Sequence, residues 1–249
     1  MQTVITMAGL GTRFRKAGYN VPKYEIKSHN RSLFYWSMLS LSENVSEDDD
    51  FYFIVRAEDD AKSFIMTEAA KVFKAAAENY HVIEIDEMTD GQATTAMLVA
   101  SQWKESQPLL IYNIDTYVEP GKMMPKEGVP AGTSGFIPCF NAPGDHWSFV
   151  ETDEAQRAIQ VREKQRISDN CTIGAYWFSS CRLYEQMYND YYKDGGNMEK
   201  GEKYVAPLYN HMIGQGMTVR ICSIDSRYVH VLGTPEELQI FENEEIREL

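Results

Sequence analysis

The residues with the clearest chemical potential lie near the start of the chain. The run GLGTRF occupies residues 9–14, after a short apolar stretch, and a Pro-Lys pair ends at Lys23. Gly9 and Gly11 lack a Cβ, so their backbone N–H groups can approach phosphate oxygens closely. Arg13 and Lys23 carry the positive charge that attracts a polyphosphate. The pattern therefore predicts a loop that wraps a polyphosphate.

Two better-known glycine loops do not fit these residues. The dinucleotide-binding fingerprint requires a third glycine, and Phe14 stands at that position. The Walker loop requires the string G-x-x-x-x-G-K-[ST], which the sequence lacks. An ordinary strand-to-helix turn is the alternative, because Gly-x-Gly alone is a weak signal. The added Thr-Arg-Phe and the Pro-Lys pair favour phosphate binding over that turn.

Residues 9–14 and the Pro-Lys pair resemble the signature of the nucleotidyltransferases that make nucleotide sugars and related activated phosphates. This NTP transferase family includes the sugar-1-phosphate pyrophosphorylases and the small cytidylyltransferases of bacterial surface-polysaccharide pathways, phosphocholine cytidylyltransferases among them. The likeness extends over nearly the whole chain. It implies transfer of an NMP from an NTP to a phosphorylated small-molecule acceptor, such as a sugar, polyol or other phosphate, with release of pyrophosphate.

The resemblance also implies which residues bind the nucleotide. Arg13 and Lys23 would be catalytic, with Lys23 stabilising the α-phosphate and Arg13 the departing pyrophosphate. In a second segment, residues 90–94, Gly91 would lie against the base and Gln92 would bond its edge. Without the resemblance, that segment is a turn and a helix N-cap. The full nucleotide-binding set is Met7, Ala8, Gly9, Leu10, Gly11, Thr12, Arg13, Phe14, Lys23, Asp90, Gly91, Gln92, Thr94 and Asn113.

Asp115 is the candidate metal ligand. It follows an apolar strand predicted at residues 109–113, and open α/β sheets bind ligands at the carboxyl ends of their strands. A carboxylate there can hold Mg²⁺, which keeps several waters and bridges substrate phosphates. From position alone, a turn aspartate that caps the next segment is the alternative. The resemblance implies the metal role, because the family's metal-binding Asp stands at the end of this strand.

Glu163 and Lys164 close another predicted strand. The resemblance implies that Lys164 binds the acceptor phosphate and takes part in catalysis, and that Glu163 binds a hydroxyl or other polar group. Gly174 is the third acceptor-binding residue that it implies. The alternative is a solvated charge pair within the charge-rich stretch 162–166. Four aromatic residues nearby are expected mostly in the core, with one or two lining the acceptor pocket: His146, Trp147, Tyr176 and Trp177.

One position departs from the family pattern. Residues 233–238, GTPEEL, resemble the family's closing motif. The sugar pyrophosphorylases carry a second metal-binding Asp two residues before the glycine of that motif, and Val231 stands there in this chain. Valine cannot bind Mg²⁺, so three explanations are open. Asp115 holds the metal alone with phosphates and water, which we favour; Asp225 or His230 moves in; or catalysis is impaired.

Composition excludes several functional classes. The net charge of −13 argues against a nucleic-acid partner, which would normally select a basic surface. The sequence has no run of eighteen apolar residues and no signal peptide, so we expect no membrane span and a cytoplasmic location. The four cysteines form no C-x-x-C pair and are expected to be free thiols rather than zinc ligands.

The alternation of short apolar strands with helices predicts a single α/β domain. We expect a Rossmann-like, GT-A-type fold with a mixed, mostly parallel central sheet and helices on both faces. Residues 1–130 would form the nucleotide-binding half, and residues 131–249 the acceptor-binding half, in which helices become sparse and mixed strands extend the sheet. The predicted helices span 33–41, 60–80, 91–103, 182–193 and 204–215, with a last helix capped by Thr234.

Two other functions fit parts of the sequence. A glycosyltransferase that uses a nucleotide sugar would share the fold, but such enzymes typically carry Asp-x-Asp where this chain has Asn113-Ile114-Asp115. A non-catalytic nucleotide-binding relative is favoured only by Val231. We favour CTP as the nucleotide by analogy, since the compact length and the missing second Asp are typical of cytidylyltransferases. The base, the acceptor and the oligomeric state, with a homodimer admitted, are left open.

Overall fold

A sheet of ten strands runs through the part of the chain that the structure, a computed structural model, describes, namely residues 1–246. Helices cover both faces of this sheet, and two further pairs of short strands lie beside it. The strands are β1 (Gln2–Thr6), β2 (Lys27–Ser28), β3 (Arg31–Ser32), β4 (Asp50–Arg56), β5 (Tyr80–Ile85), β6 (Leu109–Asn113), β7 (Thr116–Val118), β8 (Gly135–Phe140), β9 (Ser148–Thr152), β10 (Ala158–Glu163), β11 (Cys171–Thr172), β12 (Ala175–Phe178), β13 (Val219–Ile224) and β14 (Val229–Val231).

The helices connect these strands and supply the second layer of the core. They are α1 (Thr12–Lys16), α2 (Leu33–Leu39), α3 (Lys62–Val72), α4 (Gln92–Met97), α5 (Cys181–Tyr191), α6 (Ala206–Gly214) and α7 (Pro235–Glu242). None of the helices within residues 1–246 is long and apolar enough to cross a bilayer.

The strand order is β10-β9-β11-β8-β12-β6-β1-β4-β5, with β13 paired to β8. The four strands β6, β1, β4 and β5 are parallel. Beyond β6 the pairs β6–β12, β12–β8, β8–β11, β11–β9 and β9–β10 are antiparallel, whereas β8 and β13 are parallel. The mixed α/β fold predicted from the sequence is therefore confirmed, including the change of character in the second half.

Both faces of the sheet are buried, which explains the continuous apolar runs of its central strands. Val4 of β1 packs into the cluster on the face of α4, α5 and α6, and its neighbour Ile5 packs into the cluster on the face of α2 and α3. β6 alternates in the same way, with Ile111 on the first face and Tyr112 on the second. This alternation fixes the register of the strands, since a slip by one residue would exchange the two faces.

The register brings the carboxyl ends of the parallel strands to one edge. Thr6, the last residue of β1, lies opposite Ile54 of β4 and Asn113 of β6. The segments that follow these three strands therefore begin side by side. This edge is where open α/β sheets bind ligands.

Two predicted helices are shorter than their composition indicates. The Ala- and Lys-rich stretch 60–80 ends as an α-helix at Val72, because Phe73 turns into the core in an extended conformation and stacks on Phe51 with 4.3 Å between ring centroids. Helix α4 likewise covers only the first turns of the stretch 91–103. Tertiary packing overrides helix propensity at both places.

Candidate active site

Two adjoining clefts open at the carboxyl edge of the parallel strands. The larger cleft has a volume of about 530 Å³ and follows the loop after β1, and the smaller cleft, of about 260 Å³, lies over the antiparallel strands. Five residues line both clefts: Arg13, Gln92, Asn113, Asp115 and Gly233. A molecule in one cleft would therefore meet a molecule in the other at these five residues.

All residues of the predicted phosphate loop, 7–14, line the larger cleft. Met7 donates its N–H to the carbonyl of Ile54 at 3.1 Å, which ties the start of the loop to β4. The backbone N–H groups of residues 8–11 find no acceptor within the described part of the chain. Buried N–H groups are nearly always paired, so a run of free ones at a cleft wall is suited to an anion.

Phe14 fixes the far end of this loop. Its ring is almost fully buried, within the cluster formed by α2 and α7. Gly11 adopts a left-handed conformation with φ of 60°, which lets the loop turn into α1. The loop therefore has a rigid anchor on each side.

Lys23 and Asp115 meet across the larger cleft. The Lys23 ammonium donates a hydrogen bond to Asp115 Oδ1 and lies 5.8 Å from the centroid of the Phe14 ring. The Lys23 side chain is nearly buried, while the Asp115 carboxylate is half exposed. The structure thus brings the predicted phosphate-binding lysine and the predicted metal ligand together.

Three hydrogen-bonded side chains next to Lys23 were not predicted from the sequence. Tyr24, the next residue, donates its hydroxyl to Asp59 at 3.0 Å, and Arg56 at the end of β4 donates to the same carboxylate at 3.1 Å. Burial and the Asp59 carboxylate raise the pKa of Tyr24, so its hydroxyl remains a donor. All three side chains line the larger cleft. The sequence signal that could have indicated this group is Arg56, an arginine at the carboxyl end of a buried strand.

Gln92 is held over the end of β1. Its amide nitrogen donates to the Thr6 hydroxyl at 3.1 Å, and the residue lines both clefts. Gly91 precedes it with φ of 137°, and a Cβ there would lie 2.4 Å from the carbonyl oxygen of Lys203. Only glycine therefore allows this segment to dock against the backbone at Lys203.

Asp90 and Thr94, by contrast, line neither cleft. The Asp90 carboxylate pairs with the Lys203 ammonium at 2.8 Å and accepts a hydrogen bond from Thr94. Burial opposes the charge of Asp90, but the hydrogen bonds from Lys203 and Thr94 outweigh it and lower the pKa of this carboxyl. These side chains fasten the segment, and Thr89 and Thr95 are the neighbouring residues that reach the larger cleft.

Apolar side chains are unusually exposed in the larger cleft. Six large apolar residues are exposed among residues 1–246, and three of them, Leu10, Val21 and Met88, line this cleft. Exposed apolar groups gathered in one concavity mark a ligand site more often than a chance surface. A flat, partly apolar group such as a nucleobase would cover them.

Glu163, Lys164 and Gly174 all line the smaller cleft. The Glu163 carboxylate is nearly buried, accepts a hydrogen bond from the Ser148 hydroxyl and lies 3.5 Å from the Lys164 ammonium. Lys164 also donates to the Tyr204 hydroxyl at 2.9 Å. Burial opposes its charge, but the Tyr204 hydrogen bond and the Glu163 carboxylate outweigh it and raise the pKa of Lys164.

Behind Glu163 lies a network of buried hydroxyl groups. Tyr176 lies within 3.2 Å of the Thr172 hydroxyl and 3.4 Å of the Ser148 hydroxyl, and all three residues line the smaller cleft. Burial, with the nearby Glu163 charge, raises the pKa of Tyr176 to about 12. His146 and Trp147 line the cleft as well, whereas Trp177 does not.

Gly174 shapes the wall between the two clefts. It lies between β11 and β12 with φ of 78°, and its carbonyl accepts the Asn113 N–H at 3.1 Å. A Cβ on Gly174 would lie 2.1 Å from the Asn113 side-chain nitrogen. Because Gly174 has no side chain, the Asn113 side chain can lie against its backbone. Asn113 is one of the residues common to both clefts.

The residues just before the closing motif are hydrogen-bonded to the backbone of Asp115. β14 pairs with β7, and the Leu232 N–H donates to the Asp115 carbonyl at 2.7 Å. Val231 lines the smaller cleft, but Asp225 and His230, the candidate substitutes for a second metal ligand, line neither and are paired with Arg227 and Glu244. Within the described residues no group of three or more His, Cys, Asp or Glu side chains is arranged to hold a metal.

Comparison with known proteins gives a divided result. No protein-family model matches the chain, and no curated protein matches it. Solved structures do match. The nucleoside-diphosphate-sugar pyrophosphorylase from Vibrio cholerae RC9 is 31% identical, with a TM-score of 0.86 over 98% of this chain and 100% of that one.

Two more distant structures share the fold. The inositol-1-phosphate CTP transferase from T. maritima is 15% identical, with a TM-score of 0.76 over 97% of this chain and 93% of that one. A Bacillus anthracis protein assigned as a glucose-1-phosphate thymidylyltransferase, in complex with sucrose, is also 15% identical, with a TM-score of 0.76 over 100% of this chain and 98% of that one. Taken with the 31% identity to the Vibrio protein over nearly the full length of both chains, this shows that the chain belongs to the NTP transferase family of nucleotidyltransferases.

Proposed function

We propose that this protein transfers CMP from CTP to a phosphorylated small-molecule acceptor and releases pyrophosphate. The observation that carries the proposal is the meeting of the two clefts at Arg13, Asn113 and Asp115. The larger cleft has the free amides and cations that suit a triphosphate, and the smaller has a lysine and a buried carboxylate that suit a phosphorylated, hydroxyl-bearing molecule.

The reaction needs no protein nucleophile. An oxygen of the acceptor phosphate attacks the α-phosphorus of the nucleotide, a new P–O bond forms, and the bond to the β-phosphate oxygen breaks as pyrophosphate leaves. Catalysis then consists of positioning and charge stabilisation. Lys23 would contact the α-phosphate, Arg13 the leaving pyrophosphate, and Lys164 the acceptor phosphate.

The residues present fit a Mg²⁺ ion at Asp115. The carboxylate supplies hard oxygen donors, Lys23 occupies only Oδ1, and Oδ2 points toward Gly233, where a Cβ would lie 3.9 Å away. When bound, Mg²⁺ would draw the phosphates together and neutralise the charge that develops on them. Asp115 would hold it, together with substrate phosphates and water.

Gln92 supports CTP over UTP and dTTP. Because its amide nitrogen is directed at the Thr6 hydroxyl, its carbonyl oxygen is left to accept a hydrogen bond. Cytosine offers an exocyclic amine for that purpose, whereas uracil and thymine offer a carbonyl oxygen. We place the reaction in the cytoplasm and in the synthesis of a bacterial surface polysaccharide, on the basis of the motif resemblance.

The test begins with thermal melting in Mg²⁺ with CTP, UTP, dTTP, GTP or ATP. A ligand that binds only the native state raises the melting temperature by mass action, so CTP should give the largest increase. Pyrophosphate release is then measured with CTP and a panel of sugar phosphates, polyol phosphates and phosphorylated alcohols. If none of the five nucleotides shifts the melting temperature, the proposal fails. Transfer from a nucleotide sugar without pyrophosphate release would instead indicate a glycosyltransferase.

A further inference from the structure

Val231 leaves the proposed metal site one carboxylate short of the family pattern, and the structure points to a different donor for it. Asp225 and His230 are engaged elsewhere. Glu237, by contrast, lines the smaller cleft together with Asp115, and its carboxylate has no hydrogen-bond partner within residues 1–246. It therefore reaches the cleft from the first turn of α7.

The start of α7 fixes where Glu237 lies. Thr234 caps the helix, and its hydroxyl accepts the Glu237 N–H at 3.2 Å. Pro235 occupies the first helical position, which pre-sets the backbone of that turn. The neighbouring Leu232 N–H is bonded to the Asp115 carbonyl. The cap and this bond hold the two carboxylate-bearing segments side by side.

Gly233 lies between the two carboxylates. A Cβ at that residue would be 3.1 Å from Glu237 Oε2 and 3.9 Å from Asp115 Oδ2. Both oxygens thus lie within 4 Å of the same point, which the absence of a side chain on Gly233 keeps open. The Lys23 ammonium donates to the other oxygen of Asp115. Two carboxylates close to each other form a setting that favours a cation.

We propose that Glu237 supplies the second carboxylate of the Mg²⁺ site, in place of the residue at position 231. This inference rests on the proposed function, because it assumes that Asp115 holds a divalent cation. Mg²⁺ is commonly held by one or two carboxylates plus substrate phosphates, so Asp115 and Glu237 complete the protein's share. The second metal ligand would then lie in the first turn of α7 instead of on strand β14.

The test measures metal binding directly. Mn²⁺ prefers the same oxygen donors as Mg²⁺, and its EPR signal reports the free ion during a titration. The variants are Glu237→Gln, Asp115→Asn and the matched control Glu236→Gln. Glu236 is adjacent, carries the same charge, is exposed and lines neither cleft. Glutamine is accepted at the third position after the cap, so Glu237→Gln should retain the helix.

We expect Glu237→Gln to weaken Mn²⁺ binding by about tenfold or more, the size of effect that groups around a metal site commonly have. Glu236→Gln should stay within about twofold of the wild type, and Asp115→Asn should abolish binding. Gly233→Ala is a second probe that leaves the charge unchanged. Its backbone conformation is not left-handed, so alanine should fold, and its methyl group should fill the space between the carboxylates and weaken Mn²⁺ binding as well.

The outcomes separate this inference from the proposed function. If Asp115→Asn abolishes Mn²⁺ binding while Glu237→Gln and Gly233→Ala bind as the wild type does, Asp115 holds the metal alone and the inference is overturned, although the proposed function stands. If the wild type binds no Mn²⁺, with or without CTP, the inference and the proposed metal site both fail. A loss in Glu236→Gln equal to that in Glu237→Gln also overturns it, because the effect would then be one of net charge.

Discussion

The two clefts are built in different ways. The larger cleft depends on the backbone of consecutive residues, 7–14, and the N–H groups of residues 8–11 are free at its wall. The smaller cleft depends on side chains from separate strands, such as Ser148 on β9, Glu163 on β10 and Tyr176 on β12. Backbone amides recognise the charge and shape that all triphosphates share, whereas side-chain networks recognise one arrangement of hydroxyl groups. Under the proposed function, the loop would carry the phosphate chemistry, and the antiparallel strands would select the acceptor.

Arg13 gives the strongest test of this division, because it is common to both clefts. Arg13→Ala should lower pyrophosphate release by about a thousandfold or more, the effect of removing an arginine that stabilises phosphoryl-transfer charge. The side chain is exposed, so the melting temperature should hardly change. Lys16→Ala is the matched control, since Lys16 lies on the same short helix, is exposed and lines neither cleft. Full activity of Arg13→Ala would exclude its proposed role.

Lys164 tests the acceptor side alone. Lys164→Met should raise the KM for the acceptor by about 10- to 100-fold, as expected for loss of a charged hydrogen bond. The rise in melting temperature caused by CTP should be unchanged, because Lys164 does not line the larger cleft. Arg162→Met serves as the control, because Arg162 lies two residues earlier in the chain and outside both clefts. A weaker response to CTP in Lys164→Met would show that the two clefts are not separate in function.

A substitution at Gly9 tests the loop by changing its shape without changing its charge. A Cβ on Gly9 would meet nothing within 4 Å, so Gly9→Ala should leave the unfolding free energy within about 0.5 kcal/mol of the wild type. If phosphates approach the loop amides closely, the methyl group should weaken CTP binding by about tenfold, or roughly 1.4 kcal/mol. Gly214→Ala, at an equally open position on α6, is the control. Unaltered CTP affinity would place the phosphates away from Gly9.

The smallest expected effect is the pH dependence of the stability that Lys164 contributes. Its folded-state pKa is raised above the ordinary 10.5, so its contribution to stability is fully present below that value and is lost as the pH rises through the raised pKa. The difference in melting temperature between the wild type and Lys164→Met should therefore be constant from pH 7 to about pH 10 and shrink above it. A difference that shrinks already near neutral pH would contradict the hydrogen bond to Tyr204.

The sequence indicated the larger cleft better than the smaller one. Residues 9–14 and Lys23 are close along the chain, so a local pattern was sufficient to group them. The network around Glu163 was not predictable, because Ser148 and Tyr176 approach it only through antiparallel pairing that includes a register shift between Ala158 and Gln160. Glu163 and Lys164 entered the prediction through family resemblance alone.

Local pattern also gave no indication of the partners of some residues within the predicted set. Asp90 and Thr94 follow the family's motif, yet Thr94 donates to Asp90, and Asp90 pairs with Lys203, a residue more than a hundred positions later in the chain. The sequence around residue 90 gives no indication that Lys203 is its partner. The same limit applies to Arg56, whose connection to Lys23 passes through Asp59 and Tyr24 and depends on where two separate turns pack.

The pairing of β14 with β7, and the bond from Leu232 to Asp115, have a consequence for synthesis of the protein. A nascent chain that has emerged only as far as residue 225 already contains the loop, Lys23, Asp115 and Lys164. It still lacks the strand that closes against Asp115 and the glycine that completes both clefts. Turnover should therefore begin only after these late residues have left the ribosome. A protease cut between residues 226 and 228, in the short turn before β14, should silence the enzyme while leaving almost all of its predicted active-site residues in place.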